Sequence, residues 1–126
     1  MPRPGRAAVA ALLLVGAAGC AKHPLTNEEK LAQAQETVKR FFAALPGKDC
    51  AVLSSMLVIG PGDDDCATMI DPVVQHGLRL VEVLGSEVDG RNPEAVMVRV
   101  RLERDGQRRE VSLRVEHHPE GWKLKI

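Results

Sequence analysis

Apolar and polar residues alternate along residues 95–116, as is typical of two paired β-strands with one buried face. Asp105-Gly106 favours a two-residue hairpin turn between them, because both turn positions need positive φ. This turn places three apolar pairs on one face: Val100–Val111, Val98–Leu113 and Val96–Val115. The other face pairs opposite charges: Arg101 with Glu110, and Glu103 with Arg108. A shift of one residue would break both patterns, so the sequence predicts the register as well as the hairpin.

Apolar positions recur at helical spacing in the segment before the strands: Leu31, Ala34, Val38, Phe41, Phe42 and Leu45. Thr26 and Glu29 have the spacing of a capping box, and Pro46-Gly47 predicts the end of this helix. Asp49 is a suitable cap for a short second helix that reaches Met56 or Leu57. A third helix is expected from near Asp65 to Gly77, with Pro72 bending it.

Two further strands are expected on either side of the hairpin. Residues 78–88 form the first, and a change of apolar parity near Gly85 indicates a β-bulge. A second turn is predicted over His117–Glu120, followed by a last strand with Trp122, Leu124 and Ile126 facing inward. Helices followed by a meander predict an α+β domain, with the helices packed on one face of a curved antiparallel sheet of about four strands.

The N-terminal segment has the composition of an export signal. Arg3 and Arg6 precede an uncharged run, Ala7–Ala18, that ends in small residues. A membrane-spanning helix needs about 20 apolar residues, and Lys22 ends this run too early. An ordinary signal peptide with cleavage nearby is the simpler alternative to a lipoprotein signal.

The residues around Cys20 resemble a bacterial lipobox, Ala17-Ala18-Gly19-Cys20, although leucine is commoner than alanine at position 17. This resemblance implies cleavage before Cys20 and attachment of acyl chains to it. The expected organisation is a signal peptide over residues 1–19, a lipidated tether over 20–25 and a folded domain over 26–126. Ala21 stands where aspartate would resemble an inner-membrane retention signal, so we expect attachment to the outer membrane, facing the periplasm.

The chain contains three cysteines. Lipidation of Cys20 would leave Cys50 and Cys66 as a pair, for which an oxidising periplasm favours a disulfide. This bond would close a loop of about 15 residues and contribute roughly 3 kcal/mol. The alternative is a redox-active pair, but such pairs favour a Cys-X-X-Cys spacing that is much shorter than this one.

Composition argues against nucleic-acid binding. Basic and acidic side chains number 17 each, and removal of residues 1–19 leaves 15 basic and 17 acidic. This balance provides no positive surface for phosphates. Two phenylalanines, one tryptophan and no tyrosine also provide few rings for base stacking.

The sequence from Thr26 to Ile126 resembles the NTF2-like superfamily, particularly its small bacterial lipoproteins. The resemblance lies in the order of elements and in four weak motifs: VKRFFAALPGKDC, HGLRLVEV, AVMVRVRLERDGQRREVSLRV and GWKLKI. It implies a cone formed by the helices and the curved sheet. A cystatin-like layout is the nearest alternative, but the extra segment from Cys50 to His76 argues against it.

Two clusters could suggest metal binding. Asp63-Asp64-Asp65 lacks the alternating ligands of a calcium loop and is better placed at a helix start. His117-His118 falls in a predicted turn without a third ligand, and His76 fits a helix C-terminus. We therefore expect neither metal nor cofactor.

The expected cavity lining comprises Phe41, Phe42, Val98, Leu113 and Trp122. The inward positions deduced for the hairpin are all valine or leucine, which predicts a dry wall, and the chain lacks the tyrosine that enzymes resembling ketosteroid isomerase use. Arg79, Glu82 and Arg109 are the polar residues nearest the interior, with unresolved direction.

These features predict a membrane-attached protein that is not an enzyme. Its domain is expected to bind a small apolar ligand or another envelope protein. The alternative is a structural lipoprotein that forms a homodimer through its sheet, and an isomerase or hydrolase is the least supported possibility. An enzyme would need two or more buried ionisable groups that converge on one cavity.

Overall fold

The computed structural model describes residues 24–126, so the expected signal peptide and Cys20 lie outside the described residues. The helices are α1 (Asn27–Ala44), α2 (Cys50–Ser55) and α3 (Cys66–Gln75), with a 3₁₀ turn at Leu45–Gly47. The strands are β1 (Arg79–Val88), β2 (Ala95–Arg104), β3 (Gln107–His118) and β4 (Gly121–Lys125). The predicted α+β fold is confirmed, with the order of elements that the NTF2-like resemblance implies.

Helix α1 begins with the predicted capping box. The Thr26 hydroxyl accepts a hydrogen bond from the Glu29 backbone N–H at 3.1 Å, and the Thr26 N–H donates to the Glu29 carboxylate at 2.9 Å. The buried side of the helix carries Ala34, Thr37, Val38, Phe41 and Phe42. This mainly apolar stripe packs against the sheet. The burial of its side chains is the main source of the helix's stability.

The two shorter helices are each capped by an aspartate. Asp49 accepts a hydrogen bond from Ala51 N–H at 3.0 Å, and Asp65 accepts one from Thr68 N–H at 2.8 Å. A disulfide joins Cys50, at the start of α2, to Cys66, at the start of α3, with their Cα atoms 5.9 Å apart. The predicted covalent link between these helices is therefore present.

The four strands form one antiparallel sheet in the order β1-β2-β3-β4. The pairs Val100–Val111, Val98–Leu113 and Val96–Val115 have the predicted register, as do the charged pairs on the opposite face. Asp105 and Gly106 occupy the turn with φ of 51° and 77°. The hairpin prediction is confirmed.

Strand β1 contains two register shifts rather than one. They lie between Leu80 and Glu82 and between Val83 and Gly85. The first realigns Val83 with Val100 after Leu80 has paired with Leu102, so apolar residues continue to face apolar partners. Each extra residue increases local twist, which curves the sheet around α1.

The second turn is shorter than predicted. Strand β3 continues through His117 and His118, and Pro119 and Glu120 alone form the turn. The His117 ring packs on Trp122 with 4.8 Å between ring centroids, and the His117 backbone N–H donates to the Glu94 carbonyl at 2.7 Å. These contacts hold His117 in the sheet, so its assignment to a solvated turn was wrong.

The core lies between α1 and one face of the sheet, which we call the inner face. Val96, Val98, Val100 and Val115 are fully buried there. Thr37 is the one buried polar side chain in the described part of the chain, and its hydroxyl donates to the Gln33 carbonyl at 3.0 Å. No buried side-chain polar atom of residues 24–126 lacks a partner. The described residues thus have their own hydrophobic core and helix cap, as is typical of a domain that folds as a unit.

Within residues 24–126, no helix is both long and apolar enough to cross a bilayer.

Candidate functional site

An apolar cavity of about 300 Å³ lies between α1, α3 and the inner face of the sheet. Helix α1 contributes Phe41 and Phe42, and α3 contributes Met69, Ile70 and Val73. The remaining lining residues come from turns, strands and the C-terminus: Leu45, Leu78, Leu102, Leu113, Leu124 and Ile126. The volume is at the lower end of the range for small-molecule pockets.

The cavity lies beside the hairpin end of β3. Strand β4 pairs with β3 from Arg114 to His118, and in the described residues no strand pairs with residues 107–113 on that side. Helix α3 covers this part of the inner face without filling it. Leu102, Leu113 and Val73 are only partly buried, and Ile126 is 72% exposed. The cavity is therefore open to solvent at this end of the domain.

Three of the five residues predicted to line the cavity do so: Phe41, Phe42 and Leu113. Val98 is fully buried in the core and is not among the residues that line this cavity. Trp122 borders a separate surface hollow, and its indole N–H donates to Gln33 Oε1 on α1 at 2.8 Å. A buried indole needs such a partner, which fixes the ring away from the apolar cavity.

The contribution of α3 to the cavity was not among the predictions from sequence. Met69, Ile70 and Val73 recur at helical spacing and could have been recognised as an apolar stripe. The surface that this stripe covers depends on how the disulfide and the loop orient α3, which the spacing does not determine.

The polar residues near the interior divide between the two faces of the sheet. Arg79 lies on the outer face, where its Nε donates to Glu103 at 2.8 Å. Glu82 also lies there and pairs with Arg101. Arg109 lies opposite Leu102 on the inner face, two positions beyond Val111. The inward row of β3 therefore continues past Val111 to Arg109 and Gln107, which corrects the expectation of a uniformly apolar wall.

A second hollow, of about 470 Å³, adjoins the apolar cavity at the hairpin. The two share Leu78 and Leu102. The other lining residues of this hollow are Arg104, Asp105, Gln107, Arg109 and Val111. His76, at the end of α3, contacts the Asp105 carboxylate through Nδ1 at 3.1 Å, and its carbonyl accepts from Asp105 N–H at 2.9 Å. These contacts fasten the end of α3 to the hairpin turn.

The outer face of the sheet carries ion pairs. Glu103 pairs with Arg79 and Arg108, and Arg114 pairs with Asp89 and Glu116. Hydrogen bonds from Arg79 and Arg108 hold the pKa of Glu103 below its ordinary value. Those from Arg114 do the same for the pKa of Glu116. The positive and negative side chains on this face thus largely neutralise one another.

The aspartate and histidine side chains that were considered as metal ligands have other partners. Asp63 accepts from Gly60 N–H at 2.7 Å, and the hydrogen bond from Thr68 lowers the pKa of Asp65. His117 contacts Glu94 and His118 contacts Glu116, each at 3.2 Å. In the part of the chain that the structure describes, no three histidine, cysteine or acidic side chains are grouped to hold a metal ion.

Comparison of the sequence with protein-family models and with curated proteins gives no match. A solved structure from Campylobacter jejuni, provisionally described as an NTF2-like transpeptidase, is similar to this chain with a TM-score of 0.46 and 11% sequence identity. The superposition covers 73% of this chain and 96% of that chain.

Proposed function

We propose that this chain is a lipid-anchored protein of the bacterial cell envelope whose NTF2-like domain binds a small apolar ligand and catalyses no reaction. The observation that carries the proposal is the apolar cavity between α1, α3 and the sheet. Protein interiors are normally close-packed, so a solvent-open cavity with this lining favours an apolar occupant. Each methylene group that it removes from water would contribute about 0.8 kcal/mol.

The chemical character of the lining supports binding rather than catalysis. The cavity residues are aliphatic side chains, two phenylalanines and one methionine. General acid–base chemistry needs an ionisable group within hydrogen-bond reach of the reacting atom. No ionisable side chain of residues 24–126 is among those that line this cavity, whereas Arg104, Asp105 and Arg109 border the adjoining hollow.

The N-terminal sequence supports the anchoring part of the proposal. The lipobox-like residues end at Cys20, and α1 is capped at Thr26. A fully extended tether over residues 20–25 spans about 20 Å. An acylated Cys20 would therefore hold the cavity close to the membrane surface, within reach of molecules that leave the bilayer.

The alternative of a homodimer through the sheet has weaker support. The outer face carries paired charges, and dimer interfaces are depleted of charge at their centres. Light scattering on the domain over residues 21–126 tests it directly. A concentration-independent monomer would remove this alternative.

Binding is tested by filling the cavity. Val73 is half-buried and lines the cavity, so Val73→Phe should occupy part of its volume. Val52 is 45% exposed on α2 and lies outside the cavity, so Val52→Phe is the matched control. Isothermal titration of the oxidised 21–126 domain with 1-decanol should show binding by the parent and the control. Val73→Phe should weaken binding about tenfold or more, the loss of roughly two buried methylene groups.

Equal binding by the three proteins would place the ligand elsewhere and contradict the proposal. Absence of binding by the folded parent domain, for alcohols and other apolar probes alike, would also contradict it.

A further inference from the structure

Building on the proposed function, we infer that the ligand is a single-chain amphiphile with an anionic head group. Its chain occupies the apolar cavity, and its carboxylate or phosphate binds Arg104 and Arg109 in the adjoining hollow. The basis of this inference is an apolar cavity that lies beside two guanidinium groups without an ion pair in residues 24–126.

Both arginines lie on the inner face by strand register. Leu102 pairs with Arg109, and Arg104 follows Leu102 by two positions on β2. Side chains two positions apart share a face of a strand. The row of inner residues therefore passes from valine and leucine in the core to arginine at the hairpin end.

The apolar and basic parts adjoin each other. Leu78 and Leu102 line both hollows, so the cavity and the hollow that carries the arginines meet at these two side chains. A linear molecule in the cavity would pass these leucines before its head group reaches Arg104 and Arg109. This order matches an amphiphile, with the chain inside and the charge at the opening.

The two guanidinium groups are available to a ligand. Arg104 and Arg109 are exposed, and neither has an ion pair or side-chain hydrogen bond within residues 24–126. The acidic residue in the same hollow, Asp105, is already held by His76. Guanidinium groups match carboxylate and phosphate oxygens with two parallel hydrogen bonds, so an anion has two unused partners here.

Arg99 provides a control on the same sheet. It is exposed and has no ion pair within the described residues, like the other two, but it lies on the outer face of β2 beside Gly85. Loss of its charge changes the net charge of the domain without altering the hollow. An effect of Arg104 and Arg109 that Arg99 does not share is therefore local.

Three probes with the same alkyl chain test the inference: decanoate, decyl phosphate and 1-decanol. Isothermal titration below the micelle concentration uses the oxidised 21–126 domain, the Arg104→Gln, Arg109→Gln double variant and Arg99→Gln. We expect at least one anionic probe to bind the parent about tenfold more tightly than decanol. The double variant should lose this preference while its decanol affinity stays unchanged, and Arg99→Gln should behave like the parent. The stronger of the two anions identifies the head group.

Equal affinity of the parent for all three probes would overturn the anionic head group and leave the apolar ligand of the proposed function standing. The same loss in Arg99→Gln as in the double variant would show general charge attraction and would also overturn it. Failure of every probe to bind the folded parent would contradict the proposed function itself.

Discussion

Single side chains organise the outer face of the sheet through shared ion pairs. The Glu103 carboxylate accepts from Arg79 Nε at 2.8 Å and from Arg108 Nε at 3.3 Å, and its side chain is 20% exposed. Hydrogen bonds from both arginines favour its ionised form and lower its pKa from the ordinary value of 4.5. Glu103 therefore links β1, β2 and β3 through a charge that the folded state favours.

Glu103 gives a prediction about acid stability. Its pKa is lower in the folded than in the unfolded chain, so it stabilises the fold at pH values above 4.5. This contribution decreases as pH falls below that value and is lost once pH passes below the folded pKa. Urea unfolding should find Glu103→Gln less stable than the parent at neutral pH, with the difference shrinking toward about pH 3.

Glu87 is the matched control for this measurement. It is exposed on the same face, on β1, and has no ion pair within residues 24–126. Glu87→Gln should leave the stability difference near zero at both pH values. A pH-independent effect of Glu103→Gln would assign the destabilisation to packing instead of charge.

At the residue scale, the direction of Arg109 could have been predicted from the sequence, whereas the position of Trp122 could not. The hairpin register that correctly paired Val100 with Val111 also pairs Leu102 with Arg109, which puts Arg109 on the inner face. Trp122 is different, because its position depends on a hydrogen bond to Gln33, far away in the sequence. Local periodicity contains no information about such a contact.

The hairpin is the element that the sequence predicted most fully, because its turn residues and the residue pairs on both of its faces indicate the same register. The sequence predicted one β-bulge in β1 from the change of apolar parity near Gly85. It did not predict the irregularity between Leu80 and Glu82, which is seen only in the register with the partner strand. Two of the five expected cavity residues were misplaced for a related reason. The cavity depends on the orientation of α3, which no single segment encodes.

The turn of the hairpin should be sensitive to a side chain at Gly106. Its φ of 77° is a conformation that L-residues avoid, although nothing lies within 4 Å of an added Cβ. Gly106→Ala should lower the free energy of unfolding by about 1–2 kcal/mol through backbone strain alone. Gly90→Ala, in the loop before β2, has equal space without positive φ and should change stability by less than about 0.5 kcal/mol. Equal effects in urea unfolding would contradict this explanation.

The disulfide between α2 and α3 gives a second prediction at this scale. The bond closes a separation of 16 residues, so its loss should reduce the free energy of unfolding by roughly 3 kcal/mol. The measurement is urea unfolding of the Cys50→Ala, Cys66→Ala variant against the oxidised parent. Reduction of the parent should reproduce the loss and leave the variant unchanged. A parent that is equally stable with and without reductant would contradict a structural role.

At the scale of the whole molecule, the proposed function joins a membrane anchor at Cys20 to a ligand-binding domain. Two or three acyl chains on this residue would hold the protein on a bilayer essentially permanently. The wild type should therefore incorporate labelled palmitate and fractionate with membranes. Cys20→Ala should do neither, whereas Ala21→Ser, beside the cysteine, should retain both. Membrane retention of Cys20→Ala without label would contradict lipid anchoring.

The proposed function places the ligand in the cavity rather than on the sheet surface. Methyl-resolved NMR of the oxidised 21–126 domain with decanoate distinguishes these two locations, because it detects the ligand at individual side chains. Intermolecular contacts should connect the decanoate chain to Met69, Ile70 and Leu113, while the fully buried Val98 shows none. Contacts confined to the outer face, or no contacts to the three cavity residues at saturating ligand, would contradict binding in the cavity.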